Sequence, residues 1–171
     1  MTSIIKANEN DFQILADIGK RSFMESHGSS ASPTDINQYV AEKYNNEVCK
    51  SELSNPENNY HFIYHENKPA GYSKLILNAK HPNIQIENVS KLERLYLLKE
   101  FYYLKLGLML HNFNIELSKG NNQAGMWLFV WKENARAIDF YKKAGFKIIG
   151  SHDFKLTENH SNPNYQMILE Y

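Results

Sequence analysis

The sequence predicts an α/β protein in which a mixed, largely antiparallel sheet is flanked by helices. Three observations carry that expectation. Elements follow the order strand, helices, β-meander, then strand–helix–strand–helix–strand and one closing strand. Residues 91–117 join a near-continuous apolar run to a helix through a tight turn, as a buried strand feeding a helix would. No internal repeat, low-complexity segment or long linker interrupts the 171 residues, which suits a single domain over 1–171.

In chain order, residues 2–7 form a short β-prone opening. Asn8 or Asn10 offers an N-cap for a helix carrying Phe12, Leu15, Ile18 and Phe23, and Gly28 suits a left-handed C-terminal residue. Ser32 and Pro33 read as N-cap and first residue of a second helix through Tyr39, Val40 and Tyr44. A further helical turn or two covers 47–53. Residues 60–65 and 70–77 make a hairpin around turn chemistry at 66–69. Leu92, Leu95, Tyr96, Leu97 and Leu98 are the apolar run of the central strand. From Leu106 a helix follows, with Leu106, Leu110, Phe113 and Leu117 on one side and Met109 beside them. Residues 126–131 are another buried strand, 134–144 a helix closed by Gly145, and 146–150 and 165–171 the last strands.

Nineteen basic and nineteen acidic side chains cancel, so no global field gathers nucleic acid or an anionic membrane. One cysteine, Cys49, excludes an intrachain disulfide and suits a reducing compartment, with the cytoplasm as the default. No apolar run reaches membrane-spanning length. The seven histidines show no metal-ligand spacing, so no metal is expected.

Two stretches carry chemistry. The turn after the central strand leaves helix N-terminal N–H groups without partners, which favours an anion, and Gly107 keeps that backbone uncrowded. In the second, Asn134 is a good N-cap, and Ala137, Ile138 and Tyr141 lie about one turn apart.

Asn134-x-x-Ala137-x-x-Phe140-Tyr141-x-x-x-Gly145-Phe146 resembles the N-x-x-A-x-x-F-Y-x-x-x-G-F segment of the GNAT superfamily of N-acetyltransferases. Residues 91–117 stand where that superfamily has its acetyl-CoA motif, and 51–75 together with Leu92-Glu93-Arg94-Leu95-Tyr96-Leu97-Leu98 look closest to bacterial spermidine/diamine acetyltransferases. The resemblance implies a GNAT-like sheet whose central strand splays at a bulge, its backbone at Leu95, Tyr96 and Leu97 meeting the acyl-pantetheine arm like an added strand. The loop Q/R-x-x-G-x-G/A maps to 102–107, so amides from Tyr103, Leu104, Lys105, Leu106, Gly107 and Leu108 would hold the pyrophosphate of coenzyme A. Two residues depart from the pattern: Tyr102 replaces Gln or Arg, and Lys105 replaces the first glycine. A lysine held at positive φ costs on the order of 1 kcal/mol.

By the same resemblance Asn134 approaches the pantetheine arm and Tyr141 the thioester sulfur, as general acid toward the leaving thiolate. Glu93 is the candidate base. It stands two residues before Leu95 on the central strand and so shares its face. The other reading of Glu93 is an ion pair with a neighbouring cation. The oxyanion would be met by the N–H of Leu97 or Tyr96. Cys49, without a nearby base, argues for direct transfer over an acyl-enzyme. Glu25, Asp35, Glu42, Glu47 and Glu52 crowd the early helices and would attract a polycation such as spermidine. Three readings follow: N-acetylation of a small primary amine, N-acetylation of a protein N-terminus or lysine, and a GNAT-fold binding module with weakened catalysis. A homodimer through the C-terminal strands is in keeping with the resemblance.

Overall fold

The computed structural model describes all 171 residues. Its elements are β1 (Thr2–Lys6), α1 (Phe12–His27), α2 (Pro33–Lys43), α3 (Asn46–Ser54), β2 (Asn58–His65), β3 (Lys68–Ile76), β4 (Val89–Leu97), α4 (Leu106–Gly120), β5 (Gly125–Trp131), α5 (Ala135–Lys143), β6 (Lys147–Thr157) and β7 (His160–Glu170). The strands form one sheet in the order β1-β2-β3-β4-β5-β7-β6, in which only β4 and β5 run parallel. This is the mixed, largely antiparallel sheet that the element order predicts.

Local chemistry sets most boundaries. Asn8 and Asp11 form a capping box over a 3-10 turn that leads into α1. Ser32 caps α2 with Pro33 at its start, and Asn45 caps α3. Gly28 differs from expectation. Its φ of −58° is right-handed and its N–H donates to Met24 O, so the chain leaves α1 without a left-handed cap. The β2–β3 turn needs only Glu66 and Asn67, both at positive φ, which leaves Lys68 and Pro69 inside β3. The last hairpin is longer than the sequence pattern suggests, because β6 and β7 are each 11 residues and carry polar residues through 151–164.

One core gathers Phe23, Tyr39, Tyr44 and Cys49 from the first three helices with Tyr60, Phe62 and Tyr72 from the sheet. A second packs Ile115, Ile138 and Tyr141 from α4 and α5 against Leu75, Leu92, Met126, Leu128 and Met167. The buried face of α4 is partly polar: Asn114 bonds Ser73, and Ser118 bonds Ser90 and Tyr171. Met109, expected beside the apolar stripe, is exposed.

Candidate active site

The site begins where two neighbouring strands part. β4 and β5 pair only at Val89–Gly125, Ser90–Met126 and Lys91–Trp127. Beyond Lys91 they diverge, so Leu95, Tyr96 and Leu97 are only partly buried rather than enclosed on both faces. Leu98 N–H donates to Ala70 O on β3. Strand alternation then turns Tyr96 N–H toward β3 and leaves the N–H groups of Leu95 and Leu97 facing the gap. Of the two donors named for the oxyanion, this geometry favours Leu97.

A bulge sits at the parting. Lys74 pairs with Arg94 but Leu75 with Leu92, so Glu93 is the extra residue. Leu92 and Leu95, three apart, therefore both pack against the second core. Glu93 is thrown to the opposite face, where it pairs with Lys91 at 2.8 Å. The premise that Glu93 shares the face of Leu95 fails for this reason. Glu93 and Arg94 instead stand side by side on the face of the first three helices, where Arg94 donates to Tyr60 Oη at 3.2 Å.

Two cavities meet at the gap. The larger, about 530 Å³, is lined by Leu95, Tyr96, Leu97, Tyr102, Gly107, Asn134, Arg136 and Tyr141 among others. The smaller, about 120 Å³, is lined by Glu93, Arg94, Lys91 and the rings of Phe23, His27, Tyr96, Phe129, Trp131 and Phe154. Leu95, Tyr96, Asn134, Ala137 and Tyr141 belong to both.

The loop entering α4 forms one wall of the larger cavity. Lys105, the N-cap, has φ 58° and Tyr103 has φ 71°, so the left-handed conformation weighed for Lys105 is present. The backbone N–H groups of Tyr103, Leu104, Lys105, Leu106, Gly107 and Leu108 have no acceptor in the chain. They stand at the positive end of a 15-residue helix dipole. The side chains of Tyr103, Leu104 and Leu108 are exposed and that of Leu106 is buried, so only the backbone of this segment is shared chemistry. A Cβ on Gly107 would lie 3.3 Å from Leu97 Cδ1, a close approach between α4 and the end of β4. This donor row, the cleft beside it and the open edge of β4 fit a long ligand that carries phosphate at one end.

α5 forms the other wall. Asn134 caps it by accepting from Ala137 N–H, and Gly145, at φ 98°, closes it with Phe146 N–H donating to Tyr141 O. That closure fixes the turn carrying Tyr141. Burial pushes the Tyr141 hydroxyl well above the ordinary phenol range, so it stays protonated. Burial also favours a neutral Glu93. The hydrogen bond and charge of Lys91, with Lys74 and Arg94 beyond it, outweigh burial and hold the carboxyl below its ordinary range.

His27, one of the seven histidines without metal-ligand spacing, lines the smaller cavity. It stacks on Phe23, with ring centroids 4.9 Å apart, and burial lowers it to about 4, so it is a neutral wall of the smaller cavity. Arg94, Lys91 and Trp131 were also missed as site residues. The signal that places Glu93 and Arg94 together is the bulge, which no residue pattern marks.

The early carboxylates are dispersed. Glu52 is held by Lys74 and Tyr60, Asp35 accepts from Ser32 and Thr157, and Glu25 accepts from Lys99 N–H. None of the five lines the smaller cavity. Cys49 is in the first core, pushed up to about 11 by burial, and lines neither cavity. No three His, Cys, Asp or Glu side chains form a group able to hold a metal.

Comparison with known proteins agrees with this geometry. An uncharacterised N-acetyltransferase of Lactobacillus delbrueckii subsp. lactis is 27% identical over 156 residues, covering 91% of this chain and 90% of that protein. The spermidine N(1)-acetyltransferase of Thermoplasma acidophilum is 26% identical over 151 residues, covering 85% of this chain and 88% of the relative. The crystal structure of the PaiA N-acetyltransferase of Thermoplasma acidophilum, in complex with coenzyme A, superposes with a TM-score of 0.79 at 22% identity, covering 100% of this chain and 99% of that one. The model of the acetyltransferase (GNAT) family matches residues 17–146. The chain belongs to the GNAT family of acetyltransferases, whose acetyl donor is acetyl-CoA.

Proposed function

We propose that this chain transfers an acetyl group from acetyl-CoA directly to a primary amine of a small molecule held in the smaller cavity. The observation that carries the reading is the meeting of two cavities at Tyr141, Leu95 and Tyr96, one beside a row of free backbone donors and one beside Glu93.

Acetyl-CoA supplies a thioester when bound. The amides from Tyr103 to Leu108 bind its pyrophosphate, and Asn134 and the open edge of β4 orient its pantetheine arm. Glu93 takes a proton from the incoming ammonium, directly or through water, freeing the nitrogen lone pair. As the C–N bond forms and the C–S bond breaks, Leu97 N–H faces the developing oxyanion and Tyr141 gives its proton to the departing sulfur, regaining one from the second proton that the acylated nitrogen sheds. The aromatic walls exclude water from the reacting centre.

Compactness of the acceptor cavity favours a small amine over a protein segment. The Thermoplasma acidophilum relative named for spermidine supports a polyamine, whereas the dispersed carboxylates remove the acidic wall that would have supported it. With one buried cysteine, the chain suits a reducing compartment such as the cytoplasm.

Calorimetric titration of acetyl-CoA followed by thiol-release assays over a panel of primary amines tests the reading. Micromolar binding and turnover of one or more small amines are expected. Binding without turnover of any amine would leave a binding module in its place.

A further inference from the structure

The acceptor cavity holds an unbalanced charge. On the face of β4 and its neighbours, Lys91 pairs with Glu93 at 2.8 Å and Lys74 with Glu52 at 2.7 Å. Of the groups that line the cavity itself, that leaves two cations, Lys91 and Arg94, for one carboxylate, Glu93. Arg94 has no carboxylate within ion-pair distance, and its one hydrogen bond is the 3.2 Å donation to Tyr60 Oη. Its guanidinium lies over the Tyr44 ring, 5.3 Å from the centroid, its remaining donors have no acceptor in the chain, and Arg94 lines the cavity. A guanidinium offering a fork of free N–H groups into a partly enclosed space is matched by a carboxylate, which accepts two parallel bonds.

The bulge gives this donor its position. Because Glu93 is the extra residue of β4, it and Arg94 follow one another on the same face. An anion-seeking group and a cation-seeking group are thus chain neighbours lining one cavity, the two kinds of partner that the carboxylate and ammonium of an amino acid require. Phe23, His27, Phe129, Trp131 and Phe154 wall the rest of the space, with Asn162 at the rim of the β6–β7 hairpin. These surfaces suit an apolar or aromatic side chain.

We infer that the acceptor is a free amino acid with an apolar or aromatic side chain, its amine placed by Glu93 and its carboxylate held by Arg94. This rests on the acetyltransferase reading of the same site. Arg94 is here a specificity-determining residue and takes no part in proton transfer.

The test compares phenylalanine and leucine with their C-terminal amides, and with spermidine, as acceptors for the wild-type protein, by thiol release with mass-spectrometric detection of the acetylated product. The free acids are expected to exceed their amides in kcat/KM by at least about tenfold, chiefly through KM. In Arg94→Gln the free-acid KM should rise by a similar factor while the amides and the acetyl-CoA Kd change little. Arg94→Lys should recover part of the loss. Equal use of acid and amide, or a preference for spermidine, overturns the inference and leaves the acetyltransferase intact. Turnover of no amine at all, despite acetyl-CoA binding, overturns both. The wild-type acid-to-amide ratio stands even where an Arg94 variant fails to fold.

Discussion

The guanidinium carbon of Arg136, on α5, lies 3.4 Å from the centroid of the Tyr102 ring, and both residues line the larger cavity. Tyr102 stands where the GNAT loop usually has Gln or Arg. Here the ring carries a guanidinium supplied by another element, so positive charge is still present beside the row of free amides. The stack contributes on the order of 1 kcal/mol and holds Arg136 against solvent disorder. Arg136→Ala and Tyr102→Ala should each weaken acetyl-CoA about three- to tenfold by calorimetry, and the double variant should lose less than the sum. Strictly additive losses would show that the two residues act separately.

Tyr141 offers a clean test of proton transfer. Its hydroxyl makes no hydrogen bond within the chain, and it lines both cavities. Tyr141→Phe should therefore leave the melting temperature unchanged or slightly raised, keep acetyl-CoA binding, and lower kcat by about a hundredfold or more. An unchanged kcat would remove Tyr141 from the mechanism.

Glu93 predicts a pH profile. With its carboxyl held below the ordinary range, it is already ionised across the neutral region, so the rise of kcat/KM with pH should follow the amine of the acceptor and show no carboxylate limb above pH 5. Glu93→Gln should cut turnover by about 10²–10⁴-fold, while Lys91→Met should shift the carboxylate limb upward into view. The linked stability has the same sign: the Lys91–Glu93 pair contributes at neutral pH and is lost as acid protonates Glu93.

His27 acts on stability in the opposite chemical sense but in the same pH direction. Its pKa falls from 6.5 to about 4 on burial, so the unfolded chain binds the proton first and stability drops as pH falls through that window. After allowing for its partial contact with solvent, the loss is on the order of 2 kcal/mol between pH 7 and pH 4. Denaturant melts should show His27→Phe losing less stability than wild type over this range.

At Lys105, strain and entropy oppose one another. Glycine would relieve the left-handed φ of 58° but lose more freedom on folding, so Lys105→Gly should stay within about 1 kcal/mol of wild type. Lys105→Val should be the least stable, since a β-branched side chain tolerates that region worst. If the lysine also serves the phosphates, both variants bind acetyl-CoA more weakly.

Several of these positions were legible beforehand because their causes are local. Asn134 announces a cap, Gly145 a helix closure, Ser32-Pro33 a helix start, and each acts within a few residues. Lys105 at an αL position was legible only through the loop pattern of the family. A bulge in the central strand was legible through the family, but its place at Glu93 was not, since it depends on how two strands pair across 16 intervening residues, from Ile76 at the end of β3 to Glu93. Nor was the polar face of α4: Asn114 and Ser118 are buried because Ser73 and Ser90 await them on the sheet. The acidic wall failed for a related reason, as composition counts carboxylates without saying that Lys74, Thr157 and a backbone amide claim them.

The parting of β4 from β5 has a consequence for how the molecule comes undone. Three rungs of pairing join β1–β4, with their helices, to β5–β7, and the two principal cores lie largely on either side of that seam. The sheet itself is fastened at one end only; α4 bridges the seam there, and the β6–β7 hairpin reaches back to the early helices through Thr157, which donates to Asp35, and Asn162, which donates to Ser30. With so little strand pairing between them, the two halves are expected to open in part as separate units. A ligand lying along the open edges would act as additional stitching. Amide exchange in the apo protein should then show the C-terminal half opening at lower free energy than the N-terminal half, with the two converging toward one cooperative transition once acetyl-CoA is bound.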